Sequence, residues 1–467
     1  MTQVATQADR EPIPASIFRA YDIRGIADTQ LTTDNIKLIG QALGSEAIDQ
    51  GITSLLVGYD GRLSSPHLSI ALIEGIRSSG CNVVCVGLVP SPLLYFATYK
   101  TDFASGVMLT ASHNPANYNG LKIVFNRTSL AANQIQSIRA RIENGQLITG
   151  EGEFSELEID QDYIADIESR IQLNAPLKVV IDCGNAVPGK IAPELFRALG
   201  CDVHPIFCDI DGNFPNHHPD PTVPENLRAL SAAVLEKNAD VGIALDGDGD
   251  RVGLITNAGT FVDADRMMML LVQSILPKYL GRAVVFDVKC SSKLGAMISK
   301  LGGNPVMHRS GHSFMKQKME ETDAILGGEF AAHIFIKDNW MGFDDGLYVA
   351  ARLLQIISES SQTSEELFSQ FSTGFSTSEI KVEVQEERKF HLMDRIFEIA
   401  DFPGAKLITL DGLRVEYADG WGLVRASNTS PALLLRFEAD TPERLDEIQA
   451  GIRSLLHRAD KNLEIGF

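Results

Sequence analysis

The chain has 467 residues, 44% of them hydrophobic and 22% charged, and 41 Lys+Arg against 61 Asp+Glu leave a formal net charge of −20. So acidic a surface repels nucleic acid and anionic membrane, which excludes both as expected partners, and an anionic substrate must be captured by a local basic site. No run approaches the ~20 apolar residues of a membrane span. The first ten residues lack the basic and apolar regions of a secretory signal, and the six cysteines (Cys81, Cys85, Cys183, Cys201, Cys208, Cys290) show no paired zinc spacing. A cytoplasmic protein with reduced, buried thiols is expected. Length alone points to about three domains.

The predicted elements carry a three-fold echo. Ser54–Tyr59 predicts a strand, followed by the turn Asp60-Gly61-Arg62, a helix over His67–Ser78 stopping at Gly80-Cys81, and a strand over Asn82–Val86. The second copy runs from Leu177–Ile181 through a glycine turn at Gly184 to a helix from Pro193, a stop at Gly200-Cys201 and the strand Val203–Phe207. The third starts at Ala283–Phe286, turns at Cys290-Ser291-Ser292, and passes through a helix ending at Gly302-Gly303 to an extended Pro305–His308. Strand, turn, helix, glycine stop, strand is the pattern of parallel α/β units. Spacing of about 100 residues exceeds solenoid periods and indicates duplicated domains.

Each copy then adds a strand that runs into a polar loop. Gly106–Leu109 leads into Thr110–Pro115, Val241–Leu245 into Asp246–Arg251, and Ala324–Leu326 into Gly327-Gly328-Glu329. Ligands of open α/β sheets bind at the carboxyl ends of strands, so three equivalent loops are expected to meet at one cleft. Asp211–Pro224 is too rich in Pro, Asn and His for a helix or central strand and predicts a long loop. In the last quarter Ser376–Val384, Leu413–Tyr417 and Ala432–Phe437 predict antiparallel strands, and Leu445–His457 an amphipathic closing helix. That quarter reads as a smaller α+β domain.

Four segments carry chemistry. Asp246, Asp248 and Asp250 share one face of an extended segment, and the glycines between them let the backbone wrap closely. Three carboxylates without His or Cys select Mg²⁺ or Ca²⁺ over zinc. An EF-hand is excluded, because Arg251 and Asn257 stand where its glycine and glutamate belong. Mg²⁺ is the expected ion; a solvated Asp/Gly turn is the alternative. Ser112 ends an apolar strand on a turn that can present its hydroxyl to a cleft. A Ser/His hydrolase is disfavoured, since Gly-x-Ser-x-Gly is absent and neighbours on a strand point to opposite faces, directing His113 away from Ser112. Arg425–Thr429 (RASNT) offers a guanidinium, hydroxyls, an amide and turn N–H groups, equipment for a dianionic phosphate that also makes plain turns. Gly184–Lys190 begins like a P-loop, but Ile191 lacks the hydroxyl and Pro188 an N–H donor, so an ordinary βα turn is expected.

Six motifs occur in order: Phe18–Gly25 (FRAYDIRG), Thr110–Pro115 (TASHNP), Asn119–Ile123 (NGLKI), Asp246–Arg251 (DGDGDR), Gly328–His333 (GEFAAH) and Arg425–Thr429. Together they resemble the α-D-phosphohexomutases, in particular the bacterial bifunctional phosphomannomutase/phosphoglucomutase branch, over essentially the whole chain. The resemblance implies a heart-shaped monomer. Three related mixed α/β domains (1–158, 159–259, 260–372) precede a C-terminal α+β domain (373–467) like the TATA-box-binding-protein fold. It implies reversible interconversion of hexose 1-phosphate and hexose 6-phosphate through a phosphoserine at Ser112 and a bound hexose 1,6-bisphosphate, with glucose 1,6-bisphosphate as activator. It further implies Mg²⁺ on Asp246, Asp248, Asp250 and the Ser112 phosphate, with Arg251 on the transferring oxygens. Arg24, His113 and Lys122 would surround the reacting hydroxyl, and Tyr21, Lys289, His312, Glu329 and His333 would contact substrate. Arg425, Ser427, Asn428 and Thr429 would hold the phosphate that is not reacting.

The sugar loop departs from the family's Gly-Glu-Met-Ser-Gly-His. Ala331 cannot replace the serine's hydroxyl contact and Ala332 lacks glycine's freedom, and one lost hydrogen bond is worth about 0.5–1.5 kcal/mol. Two other readings compete. A phosphoglucosamine mutase is disfavoured by Phe330 and Asn428-Thr429, and a catalytically silent sugar-phosphate-binding protein by the retention of Ser112 and all three aspartates.

Overall fold

The computed structural model describes residues 13–371, 374–427 and 431–467. Three sheets repeat one strand order. In the first, Asn82–Leu88, Ser54–Tyr59 and Gly106–Leu109 are parallel neighbours and Tyr118–Phe125 returns antiparallel. In the second, Asp202–Ile206, Lys178–Asp182 and Val241–Leu245 are parallel, with Val252–Thr256 antiparallel. In the third, Asn304–His308, Ala283–Asp287 and Leu326–Gly328 are followed by antiparallel Ile334–Ile336. The echo in the sequence is thus a repeated four-strand core. Each polar loop joins the third strand of its core to the antiparallel return strand, which puts the three loops at equivalent places.

The strands form where the sequence is continuously apolar. Every residue of Val241–Leu245 is buried, as expected of a parallel strand covered on both faces. Additional strands extend the first sheet (Ile23–Ile26 and Phe154–Glu156) and the second (Phe261–Val262). One apolar cluster runs from Leu56 through Ile181, Leu245 and Val284 to Phe371, so the first three sheets share a continuous core.

The last sheet is antiparallel throughout, in the order Phe375–Ser376, Ala432–Ala439, Gly420–Ala426, Leu413–Tyr417, Lys406–Ile408, with Ile380–Glu383 also on Ala432–Ala439. Helices Lys389–Ile399 and Pro442–Ala459 pack on it through Ile396, Ile448 and Ile452, in an apolar cluster of its own. Its seam with the third sheet is largely polar: the buried Arg414 guanidinium donates to the Val288 and Cys290 carbonyls at 2.6 and 2.9 Å, and Ser291 Oγ donates to Glu438.

Two predicted strands are corrected. Ser376–Val384 breaks at 377–379 into the two short strands above, and the strand expected over Ala324–Leu326 lies at Leu326–Gly328, with both glycines inside it. The predicted P-loop mimic forms a single 3₁₀ turn over Val187–Lys190, and Lys190 Nζ is engaged by Asp160 and the Leu88 carbonyl.

Candidate active site

The three loops open on one cavity of about 240 Å³, to which the fourth sheet contributes Arg425 and Ser427. Tyr21, Arg24, Ser112, His113, Lys122, Arg251, Lys289, His312, Glu329 and His333 line it as well. Of the residues expected at the site, Asp246, Asp248 and Asp250 do not line the cavity: fully buried, they sit behind Ser112, Lys122 and His333, which do. Asn428 and Thr429 lie outside the described residues.

Ser112 leaves strand Gly106–Leu109 by a turn in which its own backbone is left-handed, with φ +49°. Its Oγ donates to Asp246 Oδ2 at 2.5 Å, joining the first loop to the second. The same φ breaks strand alternation and overturns the expectation that His113 points away: His113 Nδ1 lies 3.3 Å from Ser112 Oγ. Burial, reinforced by Arg251, pulls the His113 pKa well below that of free imidazole. Arg24, on strand Ile23–Ile26, bonds Asn114 Oδ1 and pairs with Asp22 at 2.5 Å.

Strand Val241–Leu245 delivers the aspartates. Their oxygens come within 4.8 Å of one another, and all three residues are 0% exposed. Burial, then the Asp248 and Asp250 charges, push the Asp246 carboxyl well above the usual range. Lys122 Nζ, from the return strand of the first sheet, sits 2.6 Å from Asp248 Oδ2 and also contacts Asp250. Asp248 Oδ1 has no hydrogen-bond partner. A buried orphan oxygen in an all-oxygen cluster fits a hard divalent cation. Helix Gly346–Glu359 braces the loop from behind, Gly346 N donating to the Gly249 carbonyl at 3.0 Å. Arg251 N donates to Asp246 Oδ1, and its guanidinium lies 3.8 Å from the same carboxylate.

In the third loop Glu329 accepts from Gly311 N at 2.6 Å and from His333 Nδ1 at 2.9 Å, while His333 Nε2 meets Asp250 Oδ1 at 3.1 Å. Burial works against the His333 cation, but Asp250 and Glu329 hold its pKa up at about 9. Burial likewise opposes the Glu329 anion, and the bond from His333 brings that pKa down to about 2. The two carboxylates thus favour the His333 cation, and Arg251 Nε, 3.0 Å from Nε2, opposes it. Ala332 adopts φ +69°, the left-handed conformation that its glycine alternative would accept freely. Tyr21 meets His312 edge to face at 5.1 Å, and His312 Nε2 is buried without a hydrogen-bond partner. Lys289 Nζ lies 3.4 Å from Glu379, and Arg425 is gripped by Asp411 at 3.0 Å.

Several site residues escaped the sequence reading. Ser378 and Glu379 line the cavity because the expected strand breaks there, and Asp220 and Thr222 reach it from the predicted long loop. Ser91 Oγ and N both bond Asp248, and Asp411 also accepts from Ser310 N across the seam. For Arg62, buried against the Ser112 loop, the available signal was its place in the turn that ends the first strand of the first copy.

Four domain models match consecutive parts of the chain: phosphoglucomutase/phosphomannomutase alpha/beta/alpha domain I over residues 15–148, domain II over 161–259, domain III over 263–374, and the C-terminal domain over 379–455. The chain is 50% identical to the phosphomannomutase/phosphoglucomutase of Pseudomonas aeruginosa over 97% of its own length and 98% of the relative's. It is 44% identical to a phosphoglucomutase of Neisseria meningitidis, covering 95% of this chain and 97% of that one. Among solved structures, a phosphoglucomutase/phosphomannomutase family protein from Burkholderia thailandensis superposes with a TM-score of 0.93 at 42% identity, over 97% of this chain and 100% of that one. With strand order, loop placement and whole-length similarity in agreement, the chain belongs to the phosphoglucomutase/phosphomannomutase family.

Proposed function

We propose that the protein is a phosphomannomutase/phosphoglucomutase that interconverts hexose 1-phosphates and hexose 6-phosphates through a phosphorylated Ser112 and a bound hexose 1,6-bisphosphate. One observation carries the reading: Ser112 Oγ lies 2.5 Å from an aspartate of the acidic loop, inside a cavity that also holds the Glu329 and Arg425 loops. Nucleophile, acidic loop, hydroxyl acceptor and phosphate-binding cation thus face one volume.

The sugar hydroxyl attacks the phosphorus of phosphoserine, the P–Oγ bond breaks, and the bisphosphate turns end over end before the second phosphoryl group returns to Ser112. In the return step the Ser112 hydroxyl is the nucleophile, and its proton turns from Asp246, to which it is donated here, to the neutral His113 imidazole 3.3 Å away. Arg251, Arg24 and Lys122 stabilise charge on the moving oxygens. Glu329 accepts from sugar hydroxyls, assisted by Tyr21, Lys289, His312 and His333. Arg425, Ser427, Asn428 and Thr429 hold whichever phosphate is idle, so one pocket serves both regiochemistries. Asp246, Asp248, Asp250 and Ser112 would hold Mg²⁺, which when bound supplies charge neutralisation for the transfer. Glucose 1,6-bisphosphate is the expected activator, and we assign domain boundaries near residues 158, 259 and 372, a monomer and a cytoplasmic site of action.

The test is kcat/KM for mannose 1-phosphate and glucose 1-phosphate with Mg²⁺ and a trace of glucose 1,6-bisphosphate, in the wild type and Ser112→Ala. Turnover of both sugars by the wild type and its loss in the variant are expected. Full activity in Ser112→Ala refutes the serine mechanism, and a clear preference for glucosamine 6-phosphate replaces the substrate assignment.

A further inference from the structure

Arg62 stands in a short turn after strand Ser54–Tyr59, is 1% exposed, and does not line the cavity. All five of its guanidinium N–H donors are nonetheless used. Nε donates to Asp60 Oδ2 at 3.1 Å. Nη1 donates to the carbonyls of Pro115 and Tyr118 at 2.7 and 3.0 Å, and Nη2 to those of Ser112 and Asn114 at 2.6 and 2.8 Å. The Ser112 loop is therefore wrapped around one buried cation, four carbonyls turned inward on a planar fork. Asp60 fixes the other side of the loop: its Oδ2 accepts from Thr110 Oγ1 at 2.8 Å, and that hydroxyl accepts from Ser112 N at 2.9 Å. Ser112 is thus tethered at both its N–H and its C=O.

This arrangement has a chemical consequence. Serine with φ +49° is in a conformation that L residues avoid, and it persists only where surrounding contacts over-determine it. Those contacts are the Arg62 bond to the Ser112 carbonyl and the Thr110 bond to its N–H. The left-handed turn in turn aims Oγ at Asp246. We propose that Arg62 is a positioning residue for the phosphoryl-accepting serine: by collecting the loop carbonyls it fixes the direction of Ser112 Oγ without touching substrate. Lysine cannot substitute, since it carries at most three donors on a point charge and leaves buried carbonyls unpaired. The proposal rests on Ser112 being the phosphoryl carrier.

The experiment separates Ser112 chemistry from substrate binding. Single-turnover phosphorylation of Ser112 by glucose 1,6-bisphosphate with Mg²⁺ is followed by intact mass in the wild type, Arg62→Lys and Thr110→Val, beside thermal unfolding and the Kd for glucose 6-phosphate. Arg62→Lys is expected to slow phosphorylation about 100-fold, the effect of an ångström-scale misplacement, while Kd stays within threefold because the proposed hexose-phosphate contacts other than Tyr21 come from the third and fourth domains. Thr110→Val, which removes the N–H tether and its link to Asp60 in a side chain of equal size while leaving the Arg62 bonds in place, is expected to slow it about tenfold with the fold retained, and it carries the test should Arg62→Lys fail to fold. Folded variants that phosphorylate at the wild-type rate overturn the proposal, as does a rate loss matched by an equal loss of glucose 6-phosphate affinity. Absence of phosphate uptake by the wild type overturns the serine mechanism itself, and this proposal with it.

Discussion

Gly247 tests whether the nucleophile and acidic loops need their observed approach, because substituting it changes no chemical group at the site. A Cβ added there falls 2.1 Å from the Ser112 carbonyl oxygen and 2.9 Å from its carbon. An ordinary C···O contact is about 3.3 Å or more, so Gly247→Ala must part the loops by about 1 Å. Neither side yields easily. The Ser112 carbonyl is held by Arg62, and Gly247 lies between two fully buried aspartates. Overpacking of this kind costs about 1–3 kcal/mol, read as a modest drop in Tm. Displacing the nucleophile by about 1 Å costs roughly 100-fold in rate. The assay is kcat for mannose 1-phosphate under saturating Mg²⁺, beside the Kd for glucose 6-phosphate. Expected are a kcat about 100-fold lower and a Kd within threefold of wild type. A kcat within threefold of wild type refutes the close approach of the two loops.

Three further changes are worked from the same geometry. Ala332→Gly relieves a left-handed backbone worth about 1–2 kcal/mol, offset by about 0.4–1 kcal/mol from a freer unfolded chain; a urea midpoint that rises slightly is expected, and one that falls contradicts the strain. Ala331→Ser restores a hydroxyl at the cavity wall and should tighten hexose-phosphate binding by up to about tenfold, measured by calorimetry. Burial pushes the Asp345 carboxyl up to about 7, against donors from Tyr348 N, Tyr163 and Trp340. The folded state then keeps a proton that the unfolded state releases between about pH 4 and 7, so this group removes stability as pH rises through that window, by about 4 kcal/mol over three units. Asp345→Asn should therefore gain on the wild type from pH 4 to 7 and hold level above; urea unfolding that shows a constant difference across the series refutes the shift.

The fold was legible where one physical signal dominated. Central strands such as Val241–Leu245 are apolar at every position, and glycine stops at Gly80, Gly200 and Gly302, all with positive φ, closed each repeat where expected. The reactive loops stood out because a polar cluster directly after such a strand sits at the ligand-binding end of a parallel sheet. What escaped was set by geometry that no local pattern encodes. Alternation along a strand misdirected His113, since it assumes an extended Ser112 and the backbone there is left-handed. A run with strand-like alternation hid the break that frees Glu379. Arg62 reads as an exposed turn charge until the four carbonyls that surround it, fifty and more positions away, are brought in by folding.

The division of the core bears on how one cavity can run the reaction in both directions. A serine that gives and takes a phosphoryl group must keep its distance from the acidic loop through both half-reactions, and the continuous apolar cluster beneath the first three sheets supplies that rigidity. On the proposed mechanism phosphate grip has the opposite requirement: Arg425 would release one phosphate and accept another. Its sheet has a separate core, joined to the third by a three-residue apolar contact (Val288, Trp421, Leu423) and by charged hydrogen bonds from Arg414, Arg436 and Ser291. Breaking such bonds exposes groups that water can satisfy, whereas opening the shared core would expose apolar surface at about 25 cal/mol per Å². The polar seam therefore parts at less cost than the shared core, and on the proposed mechanism it lies between the residues that would do the chemistry and those that would hold the idle phosphate.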